Sequence, residues 1–223
     1  MIAIKQIVRT KRRTIALVIE RDGSLLVRAP LRTSKARIQE LVNERADWIR
    51  DKQTLIKTLY SKTKSKEYIN GENFWHLGKT YPLEIVNHAK LPLVLDRRFH
   101  LSQTALPGAQ QVFKNWYRKQ AMQIISERVL WYASRNGFTY NKIRITSART
   151  RWGSCTSRGT LSFTWRLVMA PMVVIDYVVV HELVHLQEKN HSKSFWGKVK
   201  AIMPDYKQQI AWLKANGHFL TLE

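Results

Sequence analysis

The sequence predicts an α+β fold, in which a β-rich N-terminal part precedes a helical core that carries a small antiparallel sheet. Three observations predict this class. Asp22-Gly23 lies between two apolar runs, which is a strong hairpin signal. Apolar residues recur at helical spacing over several long segments. Three short strand-like segments follow one another between residues 142 and 164, separated by turn residues.

The N-terminal region, residues 1–105, is predicted to contain a hairpin, one long helix and several strands. The hairpin spans residues 13–29 around the Asp-Gly turn. Thr33-Ser34 offers N-cap candidates for a helix over about residues 35–59, whose apolar residues fit one helical face. Short strands are predicted over about residues 73–95, where glycines mark the turns.

The C-terminal region, residues 106–223, is predicted to form the core. It begins with a long helix over residues 109–136, which Gly137 is well placed to end. Pro171 occupies the start of an unusually apolar helix that runs from Met172 to about Glu188. The other predicted elements are strands at 142–146, 151–155 and 160–164 and helices at 194–202 and 206–215.

Bulk composition favours a cytoplasmic protein. The chain has 223 residues, enough for one large domain or two small ones. No apolar run reaches the roughly 18 residues that a membrane span needs. Apolar residues precede the basic cluster at the N-terminus, which is the reverse of a secretory signal. A single cysteine, Cys155, excludes an internal disulfide.

The charge balance is the most unusual bulk property. Lys and Arg together number 38 and Asp and Glu 16, which gives a formal net charge of +22. Such a balance attracts anionic partners, so nucleic acid or a nucleotide is a candidate partner. The alternative is that the charge serves only solubility, because the basic residues are spread along the whole chain and no nucleic-acid-binding motif accompanies them.

The apolar helix carries the motif His181-Glu182-Leu183-Val184-His185. Residues four apart on a helix differ by only about 40° in direction, so both histidines project from one face and can bind one Zn²⁺. Glu182 lies about 100° round the helix, outside the coordination shell but within reach of a zinc-bound water. In this HExxH arrangement the carboxylate takes the proton of the water as it attacks a carbonyl.

His191 completes the candidate site. The helix can end near Asn190, a residue that tolerates the left-handed conformation of a helix cap, and the chain can then turn His191 back to the metal. Three protein ligands leave a fourth position open for water, as catalytic zinc requires. The alternative is two core histidines bonded to backbone carbonyls. The apolar flanks disfavour it, because an uncompensated His-Glu pair there is costly.

Several segments together resemble the YgjP-like metallopeptidase family, which is related to the SprT-like and WLM zincins. The resemblance runs from about Arg144 to Trp212, and upstream segments that look like the N-terminal part of the family extend it to most of the chain. The segments that carry it are HELVHLQEKNHSKSFW (181–196), RWGSC (151–155), RLVMAP (166–171), IDYVVV (175–180), Pro204-Asp205-Tyr206, Gly71-Glu72 and Leu77-Gly78-Lys79-x-Tyr81.

The resemblance implies a zincin-like helical metallopeptidase core behind the β-rich N-terminal part. It also implies that His181, His185 and His191 are the metal ligands and that Glu182 is the catalytic residue. The histidine spacing equals that of metzincins, but Glu188 stands where metzincins keep a glycine, so we do not assign the chain to that group.

The strand over residues 151–155 is the candidate edge for substrate, since zincins usually bind a peptide as an additional strand. Gly153 would allow a close backbone approach, although it is equally typical of a bulge. Arg149 or Arg151 are candidates for stabilising the oxyanion, or they form ion pairs with carboxylates. Tyr177 is a further candidate, although core packing is the simpler interpretation of a tyrosine on an apolar helix.

Metal-bound histidines usually donate their second N–H to a carboxylate or a carbonyl. Asp176, Glu188 and Asp205 are candidates for this role, and Asp205 is alternatively the cap of the last helix. Three histidines favour one Zn²⁺ ion, and nickel, cobalt or manganese suit the same ligands.

Four functions are compatible with these features. The favoured one is a zinc metallopeptidase acting on peptides or proteins. A metal-dependent nucleoside triphosphate pyrophosphohydrolase would suit the basic surface, but Mg²⁺ sites prefer clustered carboxylates, which the motif lacks. A nucleic-acid-associated SprT-like protease would also use the charge. A purely structural zinc site would have no use for Glu182. Substrate identity and oligomeric state do not follow from the sequence.

Overall fold

The structure is a computed structural model that describes residues 2–20, 22–60, 65–87 and 90–222. It confirms the α+β class. The chain divides into two compact units, residues 1–64 and residues 65–222. The sequence predicts a domain boundary at residue 105. The structure has no division there, because the strands that precede residue 105 share one hydrophobic core with the helices that follow it.

The first unit is a three-stranded sheet followed by two helices. Strand β3 is central, with β1 parallel to it on one side and β2 antiparallel on the other. The strands β2 and β3 flank the Asp22-Gly23 turn. The elements are β1 (Ile4–Thr10), β2 (Ala16–Ile19), β3 (Leu25–Pro30), α1 (Lys35–Glu44) and α2 (Ala46–Tyr60).

The helical segment that the sequence predicts as one helix over residues 35–59 is two helices. Arg45 leaves the helical conformation, with φ −105° and ψ 17°, and its backbone N–H bonds back to Asn43 and Leu41. The buried residues Ile38 and Val42 precede the break and fit one helical face. Apolar spacing therefore predicts the helical face but is insensitive to a one-residue break.

The described residues of the second unit form two sheets and four α-helices. Its first sheet has the order β4-β5-β7-β6, and its second has the order β8-β10-β9. The elements are β4 (Asn73–His76), β5 (Lys79–Val86), β6 (Leu93–Leu95), β7 (Phe99–Ser102), α3 (Ala109–Asn136), β8 (Lys142–Thr146), β9 (Gly153–Cys155), β10 (Thr160–Thr164), α4 (Met172–Val184), α5 (Lys193–Ile202) and α6 (Tyr206–Asn216), with 3₁₀ turns at Gln103–Gly108, Trp165–Met169 and Gly217–Phe219.

The second sheet of this unit positions the site. Its strand β10 pairs parallel with β8 and antiparallel with β9, so the sheet is mixed rather than antiparallel throughout. Among the described strands β9 pairs with β10 alone, which leaves its other edge unpaired. The short strand β9 is therefore an edge strand, and its Gly153 lies against Glu182 of helix α4.

The start of helix α4 is fixed against the β4–β5 turn. The backbone N–H groups of Leu77 and Gly78 donate to the carbonyls of Val168 and Met169, at 2.9 and 3.0 Å. Gly78 has a positive φ of +79°, and a Cβ there would lie 2.7 Å from Cγ of Pro171. Only glycine fits both requirements. The turn therefore sets where α4 begins.

Helix α4 is nearly all buried, and its one aspartate is neutralised by an ion pair. Asp176 accepts hydrogen bonds from Nε and Nη2 of Arg128 on α3, at 2.5 and 2.8 Å. The bidentate geometry compensates the burial of the carboxylate.

Within the described residues, none of the helices is both long enough and apolar enough to cross a membrane.

Candidate metal centre

Helix α4 presents three of the predicted site residues at its C-terminal end. The helix ends at Val184, short of the predicted end near Glu188, and His185 is its C-cap residue. His185 still has helical dihedral angles, with φ −63° and ψ −16°. His181 and His185 therefore project from the same face, one turn apart. Glu182 follows on the adjacent face.

A turn after α4 brings His191 back toward the helix. Lys189 closes the helix end, because its ammonium group donates to the carbonyls of His185 and Leu186, at 3.2 and 3.3 Å. A basic side chain at this end also interacts favourably with the helix dipole. Asn190 is not among the non-glycine residues with positive φ. The lysine takes the capping role that the sequence suggests for a left-handed Asn190.

The imidazoles of His181, His185 and His191 converge. The Nε2 atom of His191 lies 3.0 Å from Nε2 of His181 and 3.2 Å from Nε2 of His185. A candidate ligand atom from each of the three residues lies within 4.8 Å of the others. Tetrahedral zinc with nitrogen ligands would separate neighbouring nitrogens by about 3.3 Å. The donor set and its spacing therefore fit one zinc-sized ion.

The second ring nitrogens are arranged so that Nε2 can bind a metal. Nδ1 of His185 lies 2.9 Å from the carbonyl oxygen of Glu188. A carbonyl only accepts, so Nδ1 carries the proton and donates it, and the lone pair of Nε2 is left for a metal ion. Nδ1 of His181 lies 3.4 Å from the hydroxyl of Tyr177. Burial, and then the neighbouring His185, lower the pKa of His181 to about 4. The ring is therefore neutral near pH 7, as coordination requires.

Aromatic residues of α5 form a floor beneath the imidazoles. The ring centroid of Phe195 lies 4.9, 4.6 and 4.8 Å from the ring centroids of His181, His185 and His191, respectively. Trp196 stacks on His191 at 5.7 Å. The sequence does not single out Phe195, which contacts all three histidines. Its only sequence signal is an apolar position on the helix that follows His191.

Glu182 is buried beside the edge strand, with only 5% of its surface exposed. Burial raises its pKa to about 8, and the positive charge of Arg151 opposes that shift. Its Oε2 atom has no hydrogen-bond partner within the described part of the chain. A Cβ on Gly153 would lie 2.5 Å from Oε1 and 2.6 Å from Cγ of Glu182. Gly153 is therefore the residue that makes room for this carboxylate.

Two adjoining cavities open along β9. The first, of about 370 Å³, runs from the start of β9 between α4 and α6. The second, of about 330 Å³, lies over the histidines and continues to Cys155 and Lys189. Both are lined by Gly153, His181 and Glu182. The histidines and the buried carboxylate are thus accessible from a cleft that follows the edge strand.

The residues predicted on the substrate side do not all reach this cleft. Arg151, Gly153 and Tyr177 line the first cavity. Arg149 is exposed in the loop before β9 and does not line either cavity. Tyr177 is 7% exposed, and burial, followed by the charge of Glu182, raises its pKa to about 12. Tyr177 therefore stays protonated and can donate a hydrogen bond.

Within the described residues, none of the three carboxylates proposed to orient the histidines hydrogen-bonds to one of them. Asp176 is bound through both oxygens to an arginine of α3. The carboxylate of Glu188 accepts a hydrogen bond from Ser194 at 2.8 Å and pairs with Lys198 at 3.0 Å. It is the backbone carbonyl of Glu188 that contacts a histidine. Asp205 is exposed at the N-cap position of α6, without a side-chain capping bond.

The chain matches a known protein family over most of its length. The family model described as YgjP-like, metallopeptidase domain matches residues 13–216. No curated protein matches the chain. The crystal structure of the metallopeptidase zymogen of Pyrococcus abyssi abylysin is similar at 19% sequence identity and a TM-score of 0.38, over 41% of this chain and 93% of that one. Because the family model covers most of the sequence, the chain belongs to the YgjP-like metallopeptidase domain family.

Proposed function

We propose that this protein is a metal-dependent peptidase in which His181, His185 and His191 hold one divalent ion and Glu182 is the general base. The observation that carries the proposal is the convergence of three imidazole nitrogens, 3.0 and 3.2 Å apart, directly beside a buried carboxylate in an open cleft. Three protein ligands leave a coordination position for substrate or water, which a closed structural site does not.

The bound ion supplies Lewis acidity, which polarises the carbonyl and makes the attacking water more acidic. The protein supplies the proton transfers. Glu182 is a base only when ionised, and the positive charge of an ion held by the three histidines would lower its raised pKa and favour the carboxylate. The carboxylate accepts a proton from the water as the water oxygen attacks the peptide carbonyl carbon, and it delivers that proton to the amine nitrogen as the C–N bond breaks. Tyr177 is the candidate donor to the developing oxyanion, because its hydroxyl is protonated and lines the cleft. Arg151 is the alternative donor at the mouth of the cleft.

The donor set supports zinc as the native ion. Three imidazoles suit zinc, with nickel, cobalt and manganese as less favoured occupants. Within the described residues, this is the only group of three or more His, Cys, Asp or Glu side chains that lies close enough to hold a metal. A Mg²⁺-dependent nucleotide pyrophosphohydrolase would need clustered carboxylates. The peptidase is therefore favoured over the nucleotide hydrolase.

The edge of β9 is the proposed site for the substrate backbone. A peptide added there would complete its hydrogen bonds with an unpaired strand edge, as in other cases of β-strand addition. The absence of a side chain on Gly153 lets strand β9 lie close against Glu182. The scissile bond would then lie over the histidine cluster.

The proposal is tested by metal removal and return. Hydrolysis of a peptide mixture is measured for the purified protein, after chelation, and after addition of one equivalent of Zn²⁺. We expect chelation to abolish hydrolysis and zinc to restore it, because the imidazoles do not activate water without the metal ion that they hold.

The matched variants are His191→Ala and His100→Ala. His100 lies on β7 and pairs with Asp96 and Glu84, outside the site. We expect the first variant to lose hydrolysis and to bind zinc more weakly, and the second to keep both. Full activity of the metal-free protein would show that the histidines are not a catalytic metal site.

A further inference from the structure

The first cavity has the walls of a side-chain pocket. Its volume of about 370 Å³ lies within the range of roughly 300–1,000 Å³ that is typical of ligand sites. Three elements supply its apolar lining, with Trp152 before β9, Val178 on α4, and Ile210 and Leu213 on α6. Such a lining favours a large apolar group over a polar one.

The walls are held in place by close packing. Val178 is 3% exposed and belongs to the main core of the second unit. The ring of Trp152 packs against Gly217 at the end of α6, where a Cβ would lie only 2.7 Å from Cζ2 of the ring. Trp152 thus forms one wall of the pocket through close contact with Gly217, and the pocket is open without a bound peptide.

The mouth of the pocket is positively charged. Arg151 and Lys214 both line it and both are exposed. The only acidic residue in the lining is Glu182, which is buried, whereas the two basic residues are exposed. Lys214 forms no ion pair with any described residue. A carboxylate held at this mouth would therefore be attracted by two cations.

The pocket adjoins the reacting centre. It shares Gly153, His181 and Glu182 with the cavity above the histidines. A peptide that lies along β9 with its scissile bond over the histidines would place a neighbouring side chain at the pocket mouth. The pocket is therefore positioned to select the residue next to the cleaved bond.

We propose that this pocket binds a large apolar side chain and that Arg151 and Lys214 bind a carboxylate next to it. The preferred ligand is then a peptide with an apolar residue beside an acidic residue or beside its own C-terminal carboxylate. That this peptide is also cleaved rests on the function proposed above, whereas its binding does not.

Binding is measured with the full-length Glu182→Gln protein, so that no ligand is consumed. Fluorescence anisotropy of labelled peptides compares Leu-Asp, Leu-Lys and Ala-Asp at the central positions, and a peptide ending in Leu as the free acid or the amide. We expect Leu-Asp to bind about tenfold more tightly than Ala-Asp, as burial of a large apolar side chain predicts. We expect a similar preference over Leu-Lys. The terminal pair shows whether a chain end supplies the carboxylate as well as an internal aspartate does.

The matched variants are Lys214→Glu and Lys207→Glu, made in the same protein. Both residues are exposed on α6 and both changes alter the net charge equally, but only Lys214 lines the pocket. We expect Lys214→Glu to reduce the preference for Leu-Asp over Leu-Lys by about fivefold or more, and Lys207→Glu to leave it unchanged. The variant Leu213→Trp, which fills the pocket, should remove the preference for Leu-Asp over Ala-Asp.

Two outcomes would overturn the inference. One is an equal response to Lys214→Glu and Lys207→Glu, which would assign the charge preference to the net charge of the protein. The other is equal binding of Leu-Asp and Ala-Asp. If instead the binding preferences appear but the wild-type protein cleaves none of these peptides, the pocket stands and the proposed peptidase function fails.

Discussion

The variant Glu182→Gln is expected to lose peptide hydrolysis by about 10²- to 10⁴-fold, the usual contribution of a general base, while it keeps its metal ion. The amide has nearly the same shape as the carboxylate and cannot accept a proton from water. His181 and His185 project from one face of α4, and Glu182 projects from the adjacent face. Replacing its carboxylate therefore removes no metal ligand.

The measurement is kcat/KM together with zinc content for the wild type, Glu182→Gln and Glu127→Gln. The control residue is an exposed glutamate on α3, outside both cavities. We expect it to keep full activity. If Glu182→Gln retained more than about a tenth of wild-type activity with zinc bound, Glu182 would not be the base.

The variant Gly153→Ala is expected to reduce hydrolysis by about 100-fold, because a displacement of a catalytic group by about 1 Å has effects of that size. The added methyl would lie 2.5, 2.6 and 2.8 Å from Oε1, Cγ and Cδ of Glu182, so the carboxylate must move. The backbone is not the obstacle, since Gly153 is not among the glycines with positive φ. The histidines are not displaced, so zinc should remain bound.

Gly108→Ala is the matched control for this variant. Gly108 also lacks a positive φ, and a Cβ there meets no atom within 4 Å. Both variants are compared by kcat/KM, zinc content and melting temperature. A fully active Gly153→Ala protein would show that catalysis does not depend on the present position of Glu182. A protein with reduced activity and reduced zinc would show that the site as a whole is distorted.

Local geometry made much of the candidate site predictable from the sequence. The spacing of His181 and His185 on an apolar helix fixes their common face, and no tertiary information is needed for that. The predicted edge strand was also inferable, since Gly153 and Cys155 follow a turn-rich loop and precede another strand-like segment. The family resemblance, which the family model confirms over residues 13–216, rests on these same segments.

The partners of the histidines were not predictable in the same way. A sequence shows which residues have a side-chain carboxylate. Every residue has a backbone carbonyl, so the sequence does not show which carbonyl accepts a hydrogen bond from a histidine. His185 uses the carbonyl of Glu188, and the carboxylate of that residue turns away to α5. Asp176 pairs with Arg128, 48 positions earlier in the chain. Such long-range pairs depend on how the helices pack, which periodicity does not determine.

The pocket beside Glu182 was likewise invisible in the sequence. Its walls come from three elements that are distant in the chain, and Leu213 and Lys214 lie on a helix with no catalytic motif.

The parallel pairing of strand β1 is a further feature that was invisible in the sequence. Its partner β3 is separated from it by the whole hairpin strand β2, so no local signal marks the pairing.

X-ray absorption at the zinc K-edge, recorded on the protein loaded with one equivalent of zinc, tests the proposed centre most directly. The wild type is compared with His191→Ala and with Glu182→Gln. We predict three imidazole nitrogens and one additional oxygen in the wild type, the same shell in Glu182→Gln, and one imidazole fewer in His191→Ala. A sulphur ligand from Cys155, a shell made only of oxygen atoms, or an unchanged spectrum for His191→Ala would contradict the account.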